Sequence, residues 1–88
     1  MNTFPLTVSS PDGNVFKGDV FMLIVRGVEG ELAVLKGHAP FITSIVPCDC
    51  RIEFEDTSVK VGHTEGGILS VSKDSVTLLS SSFSWNEE

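Results

Sequence analysis

Eighty-eight residues, 41% hydrophobic and 20% charged, make one domain at most, since a chain of this size buries only about 60–65% of the surface its unfolded form exposes. Six basic against twelve acidic residues leave a net charge of −6 and a pI near 4.7, which argues against nucleic acid or anionic lipid as partners, because both need a basic footprint. Mean hydropathy of +0.20 is too high for a disordered chain, and the longest apolar run, Val20 to Val25, is far short of the roughly 18–20 residues that cross a bilayer.

The opening Met1-Asn2-Thr3-Phe4-Pro5 has neither a positive stretch nor an apolar run, so it does not read as a signal peptide. From there alternation governs the chain. Phe4, Leu6 and Val8 alternate with Thr7 and Ser9, and Pro11-Asp12-Gly13-Asn14 follows as a turn. Val20 to Val25 is apolar on both faces, so its strand is either buried on both sides or meets a partner with one of them. Glycines at 27, 30 and 37 and prolines at 40 and 47 punctuate the middle. Ile52 and Phe54 alternate with Arg51, Glu53 and Glu55; Val59 and Val61 flank Lys60; Leu69 and Val71 alternate with serines; Val76 and Leu78 flank Thr77. Period two places one side chain in the core and the next in water. Short strands at roughly 8–12-residue intervals with turn signals between them predict a sandwich or barrel. The last stretch, Ser80-Ser81-Ser82-Phe83-Ser84-Trp85-Asn86-Glu87-Glu88, reads as a tail, with docking of Phe83 or Trp85 left open.

The residues that could carry chemistry have plainer explanations. Cys48-Asp49-Cys50 could offer two thiolates to zinc, completed by His38 or His63, but the spacing is not the usual one for zinc. Two small apolar core or turn residues is the better reading, and the cysteine usage suits a reducing, cytoplasmic compartment. Glu53, Glu55 and Asp56 read as a solvated face rather than an acid–base pair. Gly62 to Gly67 lacks the lysine and the following helix of a phosphate cradle and reads as a bulge or tight turn. Neither histidine has a local triad or metal pattern.

Val28-Glu29-Gly30-Glu31-Leu32, followed by Leu35-Lys36-Gly37-His38-Ala39-Pro40-Phe41-Ile42-Thr43, resembles the epsilon subunit of rotary F-type ATP synthases, where the stretch runs G-x-x-G-E-L-G-V-L-P-G-H-A-P-L-L-T. Phe4-Pro5-Leu6, Ser10-Pro11 and Phe16-Lys17-Gly18-Asp19-Val20 fit the family's opening strands. Arg51-Ile52, Gly66-Gly67-Ile68-Leu69-Ser70-Val71 and Val76-Thr77-Leu78-Leu79 fit its closing ones. Ala33, Lys36, Cys48 and Thr64-Glu65 depart from the family pattern without touching the strands.

The resemblance implies an all-β, flattened antiparallel β-sandwich over residues 1–80, with residues 81–88 as a C-terminal tail. Relatives continue into a pair of helices; nine residues after Leu79 are too few for a stable isolated helix of about 12–15. Either the natural protein is a short form or the chain is an excised domain; the tail, without a helical period, favours the short form. The expectation is no helical hairpin, no inhibition by arm extension and no direct nucleotide binding. The implied work is that of a rotor subunit without a catalytic site or cofactor, coupling the c-ring to the gamma subunit and catalytic head. Membrane association would come only through the complex, at the cytoplasmic face of a bacterial plasma membrane. Val28, Glu29, Gly30 and Glu31 are the implied c-ring contact, and Ser10 and His38 the implied gamma contact. His38 has an equally good reading as a brace of its turn. The rival class is a small ligand-binding or adaptor sandwich, which calls for an aromatic-lined pocket; the one tryptophan, Trp85, lies in the tail.

Overall fold

A computed structural model describes residues 2–86, and all the regular elements among them are strands. In chain order they are β1 (Phe4–Ser10), β2 (Gly13–Val20), β3 (Met22–Gly27), β4 (Gly30–Leu35), β5 (Phe41–Ile45), β6 (Cys48–Glu53), β7 (Val59–Thr64), β8 (Gly67–Val71), β9 (Val76–Ser80) and β10 (Phe83–Trp85). Two layers result. One runs β4-β3-β6-β7-β10 and the other β5-β8-β9-β1-β2, joined where Gly27 of β3 pairs with Ile45 of β5. All the pairings are antiparallel except β1 with β9. The extents are 31 × 30 × 24 Å, a sandwich flattened along one axis; the alternation predicted a sandwich or barrel, and the flattened sandwich is the form the resemblance implied.

The core is what the alternating positions supply. Leu6, Val8, Leu69, Val71, Val76 and Leu78 come from one layer, and Leu23, Val25, Val34, Cys50 and Ile52 from the other; all are buried. At about 1.5–3 kcal/mol for each fully buried Val or Leu, these side chains are the main force holding the layers together. Cys50 belongs to this set, and burial, the first of its causes, pushes its thiol up to about 12. It is therefore a protonated, inert packing group at neutral pH. The apolar run at residues 20–25 splits its burden. Val20 closes β2, Leu23 and Val25 face the core, and Met22 and Ile24 face outward, half-buried.

β7 departs from the expected pattern. The valines flanking Lys60 predict that Val59 and Val61 face inward, yet the inward positions are Gly62 and Thr64, and Val59 is exposed. The cause lies beyond the strand. β10 pairs with β7, bringing Phe83 over Gly62, where an added Cβ would sit 2.4 Å from the Phe83 ring. The missing side chain at Gly62 makes room for an aromatic from the neighbouring strand. Thr64 is buried with its hydroxyl satisfied, hydrogen-bonded with Ser80 and accepting from the Gly66 amide at 3.1 Å. Of the residues expected as a tail, 83–85 form β10, while Glu87 and Glu88 lie outside the described residues. Phe83, Trp85, Phe16 and Phe54 make successive ring contacts of 5.0 to 6.1 Å across the seam between β10 and β2. Lys60 lies 4.4 Å over the Trp85 ring.

The register also sorts the loops into two ends. Gly27, Ile45, Gly67 and Ser80 pair in succession across β3, β5, β8 and β9. The turns at Pro11–Asp12, Val28–Glu29 and Glu65–Gly66 therefore lie at that end. The loop at residues 36–40 and the turns at 54–58 and 72–75 lie at the other.

Candidate functional site

The two outer faces of the sandwich differ in chemistry. On the β4-β3-β6-β7 layer the outward positions include Glu31, Arg26, Asp49, Arg51, Glu53 and His63, and Arg51 pairs with Glu53 at 2.9 Å. Met22, Ile24, Leu35 and Val59 also point outward on this layer, interleaved with these charges, with Leu35 39% and Val59 43% exposed. On the other layer the outward positions of β5, β8, β9 and β1 are Ile42, Ser44, Ile68, Ser70, Thr77, Leu79, Pro5, Thr7 and Ser9. None of these carries a charge; the charges on this side, Asp19 and Lys17, stand on the edge strand β2 opposite Pro5 and Thr7 and bound the uncharged stretch. Ile42 is 73% exposed, Leu79 52% and Ile68 47%. Ile68 and Leu79 are direct partners across β8 and β9. Single exposed apolar residues are ordinary on a surface; an uncharged sheet face with three large aliphatics is the pattern of an interaction site.

Ser10, at the end of β1, borders this face. Its hydroxyl accepts from the Asp12 amide at 3.3 Å, and it lines a cleft of about 400 Å³ with Ser9, Pro11, Gly67, Ile68, Leu79, Ser80 and Ser81. His38 stands at the opposite end, in the loop before β5. Its backbone amide donates to Leu35 at 3.2 Å, and its ring lies 5.3 Å from Phe41 and faces the Ala39 carbonyl at 3.5 Å. Ser10 and His38 are thus not brought together. They flank one sheet face from its two ends, with Ile42 toward His38 and Ile68 and Leu79 toward Ser10.

Val28 to Glu31 form one feature, the tip of the β3–β4 hairpin. Gly27 pairs with Gly30 across a two-residue turn, and Gly30 at φ +125° makes the turn possible. Val28 is 64% exposed, Glu29 and Glu31 are exposed, and Glu31 stands opposite Arg26. The tip lies at the same end of the sandwich as Ser10.

Ile42, Ile68 and Leu79 were not singled out as site residues by the sequence reading. The signal is nevertheless there, in apolar doublets within strands: Phe41-Ile42, Ile68-Leu69 and Leu78-Leu79. In a strand with one packed face, one member of each doublet has to point outward.

These features define a class, the small all-β sandwich module with an uncharged, partly aliphatic stretch on one outer sheet. The chain belongs to the family described as ATP synthase, Delta/Epsilon chain, beta-sandwich domain, whose model matches residues 3–86. It is 40% identical over 89 residues to the ATP synthase epsilon chain of Ruminococcus albus, and 34% identical over 88 residues to that of Clostridium perfringens. Both matches cover 100% of this chain and 66% of the relative, so the chain spans just under two thirds of their length. Among solved structures it superimposes on a chain of the Euglena gracilis mitochondrial ATP synthase (OSCP/F1/c-ring) with a TM-score of 0.89 at 22% identity, covering 94% of this chain and 53% of that one. A chain of the Tetrahymena thermophila mitochondrial ATP synthase central stalk/c-ring gives 0.77 at 11% identity, covering 92% of this chain and 65% of that one. At such identities these two likenesses bear on the fold alone.

Proposed function

We propose that this chain is a rotor subunit of a proton-translocating F-type ATP synthase, a non-catalytic coupling element between the c-ring and the gamma subunit. The observation that carries this reading is the uncharged face of Ile42, Ile68 and Leu79, in a chain whose family is that of ATP synthase delta and epsilon chains. The gamma subunit docks on that face, with Ser10 and His38 at its two margins. Burying aliphatics against a permanent partner is how a small domain converts exposed apolar area into affinity. The hairpin tip Val28, Glu29, Gly30 and Glu31 points to the c-ring, where Glu31 meets polar and basic loop groups. The chain works at the cytoplasmic face of a bacterial plasma membrane, attached only through the complex, and binds neither nucleotide nor nucleic acid.

Crosslinking tests the ring contact. Glu31→Cys is expected to crosslink to a cysteine placed in the c-subunit loop of the intact complex, whereas Val59→Cys, exposed on the other outer face, is not. Equal yields from the two, or none from Glu31→Cys, would reject the hairpin as the ring contact.

A further inference from the structure

Away from the docking face, β6, β7 and the turn after β7 converge on His63. Its Nδ1 lies 3.1 Å from Asp49 Oδ1 and its Nε2 lies 3.1 Å from Glu65 Oε2. Asp49 is its direct partner across β6 and β7, and Glu65 sits in the β7–β8 turn. An ionised carboxylate only accepts hydrogen bonds, and a neutral imidazole has a single N–H. Both contacts are therefore made together only by the imidazolium.

We propose that His63 is a proton-controlled clasp: as imidazolium it ties the β7–β8 turn, through Glu65, to β6, through Asp49, and as neutral imidazole it releases one of the two carboxylates. The Asp49 hydrogen bond, the largest influence, together with Glu65, raises its pKa above the ordinary histidine value, against a smaller opposing effect of desolvation. The other charged groups toward this site are few. On β6, Arg51 stands opposite Val61 and is engaged by Glu53. On β3, Arg26 stands opposite Glu31 of β4. On β10, the residue opposite His63 is Ser84, which is uncharged. Lys60, on the other side of β7, is held over Trp85.

The sign follows from the raised pKa. The clasp is fully closed below the unfolded-state histidine value and opens as pH rises through the higher folded-state value. The turn it holds is also anchored by Glu65 N–H to the Ser82 carbonyl at 3.0 Å, Ser81 N–H and hydroxyl to the Gly66 carbonyl at 2.9 and 3.2 Å, and Gly66 N–H to the Thr64 hydroxyl at 3.1 Å. Gly67, the next residue, walls the cleft beside Ser10. Opening the clasp therefore loosens one wall of that cleft. The clasp involves only groups of this chain and stands whether or not the cleft receives gamma.

NMR titration of the full chain tests this. The His63 ring is expected to titrate at higher pH in the wild type than in the Asp49→Asn/Glu65→Gln double variant. Through the same interval the protection of the Glu65 and Ser81 amides should fall by roughly twofold, the modest size expected of a solvent-screened pair. His63→Gln should abolish that dependence. Equal His63 midpoints in wild type and double variant, or amide protection that does not follow the His63 titration, would overturn the proposal.

Discussion

Gly67→Ala is expected to lower stability by about 3 kcal/mol or more, a fall in Tm on the order of 15 °C for a domain of this size. A Cβ at Gly67 would lie 2.0 Å from the Leu79 carbonyl oxygen, 2.9 Å from its carbon and 3.0 Å from Ser80 Cα. All three atoms are backbone of the paired strand β9, so no rotamer change relieves the clash, and the β8–β9 ladder has to part where Gly67 meets Ser80. Gly62→Ala makes a useful comparison, because there the two closest atoms belong to the Phe83 ring, which can swing away at the cost of its own burial. Its effect should be the smaller of the two. Thermal melts of both variants decide the matter, and a Gly67→Ala shift under about 4 °C would mean that the strands part more easily than the register indicates.

Leu79→Asp should behave in the opposite way, sparing the fold and removing the docking. Leu79 is half exposed and points away from the core, so its replacement costs at most about 1 kcal/mol in strand propensity. Against a partner, a carboxylate at the centre of an uncharged apolar face is desolvated without a counter-charge, and a loss of gamma affinity on the order of 100-fold or more is expected. Ile68→Asp should do the same, since its side chain adjoins Leu79 across the two strands. Val59→Asp, on the other outer face, should leave affinity unchanged. Titration calorimetry of each variant with gamma would show it, and equal losses from Leu79→Asp and Val59→Asp would remove the distinction between the two faces.

How much of this was legible beforehand depended on where the cause lay. Alternation within a strand is local, so the inward residues of β1, β6, β8 and β9 could be read directly, and the all-β fold with them. β7 could not be read that way. Its inward face is chosen by Phe83, nineteen residues after Thr64 in the chain but paired with it in space; the glycine that admits the ring looks from the sequence like a breaker. β10 was obscured for the same reason, because a three-residue strand among serines has no period of its own and exists by pairing with β7. The hairpin tip at Val28 to Glu31 was visible through its glycines. The apolar face was not, because Ile42, Ile68 and Leu79 lie on three strands and become a surface only once the β5-β8-β9 register brings them together. Their doublets were the trace of it.

ATP-driven proton pumping tests most directly whether this chain is a coupling part of a rotary motor. Membrane vesicles carrying the source complex depleted of this chain are expected to hydrolyse ATP with little acidification. Adding the purified chain should restore pumping, and adding Leu79→Asp at the same concentration should not. Full pumping by the depleted complex, or equal restoration by the wild type and Leu79→Asp, would contradict the account.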